Sequence, residues 1–390
     1  MHTRKEWLNK QKFLVFGAGQ LGANLMFILQ HYNSFLCYID NDAKKQNENW
    51  REKPVLSLQA AIHRYKEYKI VVASSVANKK SIDNQLVKAG LISGEDYLYI
   101  EDFIRNVFPF YVFENFKENF ISLAQICVTE RCTLKCKKCA HGCYAVPAET
   151  ADMPIDFVKY SADCFFSHID YIDKFHLIGG EPFLYRDLAE AIMYIGDNYI
   201  QNIQTLCITT NGTIVPKEDV LVACKKYNVK ILISNYTYSL PKLEKQYNKF
   251  VRILDDYGID FVLGDADKEW TDYGFDYVDR GLLQVGVDSQ ASQEKLRKVF
   301  SDCKTPCREI RGNRLYYCVQ ARACAENLGF QCGQDDYLDL NRIGDSYEGK
   351  KKLVDFEIGN IKKGYLDMCN YCHGSERFRY IIPAAEQKEV

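Results

Sequence analysis

Short apolar runs alternate with longer amphipathic stretches between residues 120 and 263, and this alternation constrains the fold more than any other feature. The apolar runs predict strands, and the stretches between them predict helices. Strand–helix alternation is typical of parallel βαβ units, so an α/β fold is expected. The predicted strands are residues 123–128, 175–178, 205–209, 230–234 and 260–263, and the predicted helices are residues 155–168, 187–199, 217–227 and 240–257.

The first hundred residues predict a separate, smaller parallel unit. Gly17, Gly19 and Gly22 follow its first predicted strand, and Asp40 ends the second. This spacing matches the dinucleotide fingerprint, in which glycine backbone and a helix N-terminus face a phosphate while the acid faces a ribose. Residues 1–108 are therefore predicted to form a Rossmann-like domain. A nucleotide, a nucleotide-sugar or NAD is the candidate ligand, and a docking domain without a ligand is the alternative. The predicted strands here are residues 13–16, 35–39 and 69–73, and the predicted helices are residues 23–29 and 79–89.

Size and composition indicate a protein of several domains with reduced cysteines. A chain of 390 residues exceeds what one core normally supports, so two or three domains are expected. The net charge of −2 argues against a nucleic-acid partner, which normally binds a basic surface. The sequence offers no apolar run of membrane-helix length and no signal-peptide pattern, so a cytoplasmic protein without a membrane partner is expected. In a reducing compartment the 16 cysteines are metal ligands, reactive thiols or buried small residues rather than disulfides.

Three cysteines, Cys132, Cys136 and Cys139, stand directly after the first strand of the alternating region. Their spacing lets three thiolates converge on three corners of an iron–sulfur cubane, a cofactor that is usually held by four cysteines. Three ligands leave one iron open for a molecule that chelates it. A zinc site is the alternative, because His141 or Cys143 lies close enough to supply a fourth ligand.

Further motifs end three other predicted strands of this region. Carboxyl ends of parallel strands meet at one edge of a sheet, where α/β folds bind their ligands. Each motif alone is typical of an ordinary turn, but their order and positions together indicate one ligand site. The residues are Gly179, Gly180, Glu181 and Pro182 after the second strand, Thr210 and Asn211 after the third, and Ser234 at the end of the fourth.

In these features the sequence resembles the radical SAM superfamily, over roughly residues 120–375. The resemblance implies a partial parallel (β/α)6 barrel in residues 109–300, with a [4Fe–4S] cluster on the three cysteines and S-adenosylmethionine (SAM) on its open iron. It implies that Glu181 accepts from the methionine amino group, and that the later motifs lie near the ribose. In this family the cluster reduces SAM, and the resulting 5′-deoxyadenosyl radical abstracts hydrogen from a substrate. An external one-electron donor of flavodoxin or ferredoxin type is implied. Lys138 departs from the family pattern, which commonly has an aromatic residue or His before the third cysteine.

The last ninety residues predict a small cysteine-rich α+β domain, residues 301–390. Cys307 and Cys318 lie on the two arms of a predicted hairpin, and Cys369 and Cys372 form a tight pair. Four thiolates in this arrangement suit a second [4Fe–4S] cluster. The pattern resembles the twitch domain of radical SAM enzymes, the shortened relative of the SPASM domain, and structural zinc is the alternative.

Three cysteines of this domain remain outside the predicted ligand set. They are Cys303, Cys324 and Cys332. One of them is a candidate to replace Cys307 as a ligand, and one is a candidate to donate hydrogen to a substrate radical. Each is equally well explained as a buried small side chain.

Two hypotheses for the reaction follow. In the first, the enzyme abstracts hydrogen from a carbohydrate-type substrate: a sugar, nucleotide-sugar, glycan or aminocyclitol. Electron transfer to the second cluster then gives dehydrogenation, and hydrogen return from a thiol gives epimerisation. Carboxylates and aromatic residues in the loop at residues 264–273 suit a polyol, with a solvated surface loop as the alternative.

In the second hypothesis the enzyme is a maturase that modifies a ribosomally made peptide. Such maturases often carry a winged-helix module, which the glycine-rich beginning of this sequence does not match. A third class, a non-enzymatic iron–sulfur electron carrier, needs no SAM site, and the Gly-Gly-Glu-Pro segment argues against it.

Overall fold

The chain folds into two compact units, Met1–Phe120 and Ile121–Val390. The computed structural model describes residues 5–9, 11–65, 68–273, 290–303, 305–330, 332–374 and 379–388. The outermost residues of the first and third predicted domains, 1–4 and 389–390, lie outside the described residues. The division into three domains stays a prediction.

The first unit contains a six-stranded sheet in the order β3-β4-β2-β1-β5-β6, in which β3 and β4 alone are antiparallel among the described pairs. All four residues of its central strand are buried, which matches the continuous apolar run expected of a covered parallel strand. The strands are β1 (Phe13–Phe16), β2 (Phe35–Ile39), β3 (Asn49–Trp50), β4 (Lys53–Leu56), β5 (Lys69–Val72) and β6 (Tyr97–Tyr99).

Helices connect these strands, as the predicted βαβ pattern requires. The helix predicted at residues 23–29 begins earlier, at Gln20, because Gly19 in extended conformation is its N-cap. The helices are α1 (Lys5–Leu8), α2 (Gln20–His31), α3 (Leu58–Arg64), α4 (Val76–Lys88), α5 (Ile100–Asn106) and α6 (Phe108–Phe116).

The second unit contains an eight-stranded sheet in the order β11-β10-β9-β8-β7-β13-β14-β15. Strands β7 to β11 are the five predicted from the alternating pattern. A sixth parallel strand, β13, comes from the cysteine-rich region and pairs with β7. The predicted hairpin is present as β13 and β14, and its turn residue Gly312 has φ +60°. The strands are β7 (Phe120–Thr129), β8 (Tyr171–Gly179), β9 (Ile203–Thr210), β10 (Lys230–Ile233), β11 (Phe261–Leu263), β12 (Glu269–Thr271), β13 (Arg308–Arg311), β14 (Arg314–Tyr316), β15 (Tyr337–Asp339) and β16 (Ile381–Pro383).

Apolar side chains from one face of this sheet form the main core together with the connecting helices. Phe175 and Leu177 of β8 belong to this core. Because side chains alternate along a strand, Lys174 and His176 face the opposite side of the sheet. The helices of this unit are α7 (Ile155–Phe166), α8 (Leu188–Tyr199), α9 (Glu218–Lys226), α10 (Glu244–Tyr257), α11 (Gln290–Ser301), α12 (Val319–Glu326) and α13 (Tyr347–Glu357).

A separate two-stranded antiparallel ribbon pairs β12 with β16. Strand β12 lies in the loop at residues 264–273, so part of this loop is regular structure. Among the described helices, none combines the length and apolar character needed to cross a membrane.

Candidate functional site

The cysteine loop follows β7 and carries the three predicted cluster ligands. Cys132, Cys136 and Cys139 all lie within eight residues of sequence, and Cys136 is buried while the other two are partly exposed. Leu134 N–H donates to Cys132 Sγ at 3.4 Å, which turns the backbone around this sulfur. The loop lies at the carboxyl ends of parallel strands, where ligand sites of α/β folds occur.

The two glycines after β8 are required by close backbone packing. A Cβ on Gly179 would lie 2.4 Å from Thr129 O, and one on Gly180 would lie 2.4 Å from Arg131 O. The Gly180 N–H donates to Thr129 O, and the Glu181 N–H donates to Arg131 O, both at 2.8 Å. These glycines therefore let β8 end in close contact with the backbone that leads into the cysteine loop.

Glu181 is a fully buried carboxylate, with 0% of its surface exposed. It accepts from Thr210 Oγ1 at 2.8 and 2.9 Å, from Asn211 N–H at 2.9 Å and from Phe183 N–H at 3.2 Å. Burial raises the pKa of Glu181 to about 7, against the effect of these hydrogen bonds. Pro182 begins the short 3-10 turn that directs the Phe183 N–H at the carboxylate.

Asn211 connects Glu181 to the cysteine loop. Its backbone N–H donates to Glu181, and its side-chain Nδ2 donates to Cys132 Sγ at 3.5 Å and to Thr133 Oγ1 at 3.2 Å. The structure therefore brings the second and third strand-end motifs to the first cysteine. Ser234 follows β10, and its N–H donates to Thr210 O at 2.9 Å, so this predicted residue lies beside the same strand end.

These side chains fit the two cofactors that the sequence implies. Burial raises the pKa of Cys132 to about 12 and that of Cys136 to about 11, whereas the neighbouring Cys143 thiol lowers the pKa of Cys139 to about 5. Metal coordination is what allows buried thiols to be thiolates. The partners of Glu181 are neutral donors, so a ligand ammonium group is the charge that suits this carboxylate.

A buried polar network adjoins the cysteine loop and was missed by sequence reasoning. Arg322 of α12 is 0% exposed and forms ion pairs with Glu130, which precedes the loop, and with Glu309 of β13. Its Nη2 also donates to His141 Nδ1 at 3.1 Å, since a guanidinium can only donate. Cys143 Sγ donates to Glu130 Oε2 at 3.1 Å. Because a thiol has one hydrogen, Cys143 can donate a hydrogen bond to Glu130 or to Cys139, but not to both at the same time. His141 and Cys143, the alternative zinc ligands, thus have structural partners.

A second group of cysteines surrounds a small apolar cavity in the same unit. Cys303, Cys318, Cys369 and Cys372 line it, and Cys307 is not among the described lining residues. Burial raises the pKa of Cys318 and that of Cys369 well above the ordinary thiol value. Four thiols that share one cavity are the donor set of a fully ligated cluster or of zinc.

The two other predicted hydrogen donors are not among the described residues that line this cavity. Cys324 is buried on α12 in an apolar cluster with Tyr316, Phe330 and Met368. The thiol of Cys332 donates to Gly333 O at 3.7 Å. Burial raises the pKa of Cys332 to about 12. Cys324 therefore suits the interpretation as a buried small side chain, whereas Cys332 is partly exposed.

The predicted nucleotide motif of the first unit is internally satisfied. Gly17 has φ +121°, and a Cβ there would lie 2.3 Å from Ala73 O; a Cβ on Gly22 would lie 1.9 Å from Gly17 O. Gly19 has open space around it. The Asp40 carboxylate accepts from Ala18 N–H at 2.8 Å, from Asp42 N–H at 2.9 Å and from Lys45 Nζ at 3.4 Å. A carboxylate accepts about four hydrogen bonds, so Asp40 retains little capacity for a ribose.

Lys138 and the loop at residues 264–273 are joined by an ion pair. Lys138 Nζ lies 3.3 Å from Asp272 Oδ2, and both side chains are largely buried. Trp270 packs edge-on against Tyr236, with ring centroids 5.4 Å apart. Asp265 and Asp267 are exposed. Lys138, the residue that departs from the family pattern, is therefore held by this loop through Asp272.

Comparison with known proteins identifies one domain. Residues 126–259 match the family model of the Radical SAM superfamily. A GTP 3′,8-cyclase of Aquifex aeolicus (strain VF5) is 28% identical over 137 residues, which is 34% of this chain and 41% of the relative. A GTP 3′,8-cyclase of Erythrobacter litoralis (strain HTCC2594) is 30% identical over 101 residues, or 24% and 27% of the two chains. The chain thus spans less than half the length of these curated relatives.

Solved structures give weaker similarities. BtrN in complex with AdoMet and 2-DOIA has a TM-score of 0.33 and 13% identity, covering 68% of this chain and 100% of BtrN. SuiB of Streptococcus suis bound to precursor peptide SuiA has a TM-score of 0.30 and 18% identity, covering 47% and 44%. With TM-scores this low, neither structure indicates the substrate or the reaction of this chain. The family match, in contrast, contains both the cysteine loop and the Gly-Gly-Glu-Pro strand end, and so residues 126–259 of this chain form a domain of the Radical SAM superfamily, a family that binds SAM and a [4Fe–4S] cluster.

Proposed function

We propose that this enzyme removes hydrogen from a hydroxyl-bearing carbon of a carbohydrate-type substrate (a sugar, nucleotide-sugar or aminocyclitol) and completes a dehydrogenation. The observation that carries the proposal is the cavity lined by Cys303, Cys318, Cys369 and Cys372, in the same unit as the cysteine loop. When bound, SAM and its cluster supply a radical that abstracts one hydrogen atom from the substrate.

Electron counting favours dehydrogenation over epimerisation. A secondary alcohol that becomes a ketone loses two electrons and two protons. Abstraction of one hydrogen atom removes one of each, so one electron and one proton remain. The four-cysteine cavity suits a second cluster that accepts this electron, and water or a side chain takes the proton. Epimerisation needs instead a thiol that returns hydrogen; of the predicted candidates, Cys324 is buried in an apolar cluster and Cys303 belongs to the four-cysteine cavity, which leaves the partly exposed Cys332.

The polar side of the sheet supports a hydroxylated substrate. His176 and Thr209 face away from the apolar core and contact each other, with His176 Nδ1 3.2 Å from Thr209 Oγ1. Lys174 lies two residues earlier on the same face and is partly exposed. The hydroxyl groups of a sugar bind to such donors and acceptors, and the C–H face of a sugar ring stacks on aromatic rings such as that of Trp270. A flavodoxin- or ferredoxin-type protein is the proposed electron donor to the SAM-binding cluster.

For the first unit we propose docking or positioning rather than redox catalysis. The Asp40 carboxylate holds the glycine loop and Lys45 in place. Its remaining capacity for a nucleotide ribose is small, which leaves NAD chemistry without the acidic partner that the fingerprint requires.

Iron analysis tests the second cluster and its ligand set. In the Cys132/Cys136/Cys139→Ala protein, reconstituted without oxygen, we expect about four irons per chain in a reducible cluster. Adding Cys303→Ala to this background should remove the iron, because Cys303 lines the cavity. The matched control, Cys307→Ala, should retain it.

Two outcomes of that experiment contradict parts of the proposal. Loss of iron with Cys307→Ala and retention with Cys303→Ala would restore the ligand set predicted from the sequence. Absence of iron from the triple variant itself would remove the electron acceptor, and redox-neutral epimerisation would become the better proposal.

Deuterium transfer tests the substrate class. Sugars, nucleotide-sugars and aminocyclitols that carry deuterium on hydroxyl-bearing carbons are incubated with SAM and a chemical reductant. Deuterium in 5′-deoxyadenosine, together with a ketone product, is the expected result. Uptake of solvent deuterium at an inverted carbon would indicate epimerisation. Transfer only from peptides labelled at their α or β carbons would support a peptide maturase and contradict the carbohydrate assignment.

A further inference from the structure

Residues 384–388 lie along the cysteine loop as a short antiparallel partner, although they are far from it in sequence. Lys137 N–H donates to Glu386 O, and Lys388 N–H donates to Lys135 O, both at 2.7 Å. Cys136 and Gln387 face each other between these two bonds. The backbone around the middle cysteine is therefore fixed by a segment outside the domain that the family match covers.

The Gln387 side chain contacts both the loop backbone and a ligand sulfur. Its Oε1 accepts from Lys135 N–H at 2.8 Å, while its Nε2 donates to Cys136 Sγ at 3.4 Å and to Ala385 O at 2.7 Å. One amide thus orients the backbone before the cysteine and supplies an N–H donor to its sulfur.

Asn211 repeats this arrangement at a second ligand. Its Nδ2 donates to Cys132 Sγ at 3.5 Å. Two of the three predicted ligand sulfurs therefore accept hydrogen bonds from side-chain amides, one from Asn211 and one from Gln387, which are far apart in sequence. Hydrogen bonds to cluster sulfurs stabilise the negative charge gained on reduction and so raise the reduction potential.

The position of residues 384–388 is set by the ribbon that precedes them. Strand β16 pairs with β12, and Ala384 N–H donates to Lys268 O at 3.1 Å. The β12 loop in turn holds Lys138 of the cysteine loop through Asp272. Lys388 Nζ lies 3.2 Å from the centre of the Tyr144 ring, just beyond the cysteine loop. The segment is attached on both sides of Gln387.

We propose that Gln387 is a positioning residue of the SAM-binding cluster, which holds Cys136 in place and raises the cluster's reduction potential through its N–H···S hydrogen bond. This inference goes beyond the proposed function, and it needs only the cluster of the radical SAM domain. Neither a substrate nor the second cluster enters it.

The test is a potentiometric titration followed by EPR, applied to the signal that changes when SAM is added. In Gln387→Met, which retains the length of the side chain and loses the amide, we expect the ratio of reduced to oxidised cluster at the wild-type midpoint to fall about tenfold, or ~59 mV for one electron. The matched control is Glu386→Gln, which removes only a partly exposed ion pair with Lys137. It should keep the wild-type potential and iron content.

A wild-type potential and full iron content in Gln387→Met would overturn the proposal. Loss of iron from a variant that keeps its wild-type circular dichroism, while the control retains iron, would support the positioning role. If Gln387→Met does not fold, Gln387→Glu replaces it, because it keeps the acceptor for Lys135 N–H and loses the donor to Cys136 Sγ, while it adds one negative charge. Lys388→Glu is the charge control, because it places a carboxylate one residue away from Gln387. If Gln387→Glu and Lys388→Glu have equal reduction potentials, the N–H···S contact has no effect of its own and the proposal is overturned.

Discussion

Gly180 is the residue at which the site has least tolerance for a larger side chain. A Cβ there would lie 2.4 Å from Arg131 O and 2.8 Å from Cys132 Cβ. We expect Gly180→Ala to displace the cysteine loop, to lower iron retention after reconstitution and to cost roughly 1–3 kcal/mol of stability, the usual range for overpacking. Urea unfolding and iron analysis measure the two effects. Gly344→Ala, where the added Cβ meets open space, is the control and should leave both unchanged.

His176 makes stability depend on pH at a position outside the cysteine loop. It is 7% exposed, and burial lowers its pKa to about 4 from an ordinary value of 6.5. Between pH 4 and 6.5 the unfolded chain therefore binds a proton at His176 that the folded chain does not bind. This contribution to stability is complete above pH 6.5 and is lost as the pH falls from 6.5 to 4, amounting to roughly 3 kcal/mol at 1.36 kcal/mol per pKa unit.

The corresponding prediction concerns His176→Gln, which does not titrate. The free energy of unfolding of the cluster-free protein, measured in urea at several pH values, should decrease less steeply between pH 6.5 and 4 in this variant than in the wild type. Identical slopes for the two proteins would mean that His176 is protonated in the folded state over this range.

Helix α12 is the element that links the two groups of cysteines. Cys318 is its N-cap residue, whose sulfur accepts from Ala321 N–H at 3.3 Å, and Arg322 follows one turn later. Arg322 in turn pairs with Glu130 beside the cysteine loop. The helix therefore has one end at the four-cysteine cavity and its next turn paired with Glu130, which precedes the cysteine loop.

Removal of the Arg322 charge should be strongly destabilising. Arg322→Ala leaves Glu130 and Glu309 as buried carboxylates without their cation, which typically costs about 3–5 kcal/mol. The triple variant Arg322→Met, Glu130→Gln and Glu309→Gln removes all three charges and should recover much of this loss. Urea unfolding measures the stability of both variants. If Arg322→Ala is as stable as the wild type, the ion pairs of Arg322 with Glu130 and Glu309 contribute little to stability.

Sequence patterns predicted the elements whose contacts follow from periodicity. Strands β1, β2 and β5 and the five strands β7 to β11 were located because each coincides with a short apolar run in the sequence. The short strands β12 and β16 were not, because three residues carry too little periodicity to indicate a partner. The parallel pairing of β13 with β7 was also missed, since Arg308 and Ala124 meet only through the tertiary fold.

At the scale of the whole molecule, the sequence predicted the chemistry better than the contacts that support it. The three cysteines and Glu181 belong to short local motifs, and the order of these motifs, with their resemblance to the radical SAM superfamily, indicated a site. The Glu130–Arg322 and Cys136–Gln387 contacts join residues 192 and 251 positions apart, and sequence spacing holds no information about such pairs. The same reason explains why spacing favoured Cys307, on a hairpin arm, while the structure brings Cys303 to the other three cysteines.

The distance in sequence between Cys136 and Gln387 has a consequence for how the protein is made. Gln387 stands 251 residues after the sulfur it contacts. At roughly 5–20 residues per second, a ribosome needs roughly 13–50 s to reach it after the cysteine has been added. During that interval the nascent chain displays its thiols without the amide that orients them. Iron–sulfur assembly machinery that acts on the growing chain therefore meets a cysteine loop that lacks one of its hydrogen-bond donors.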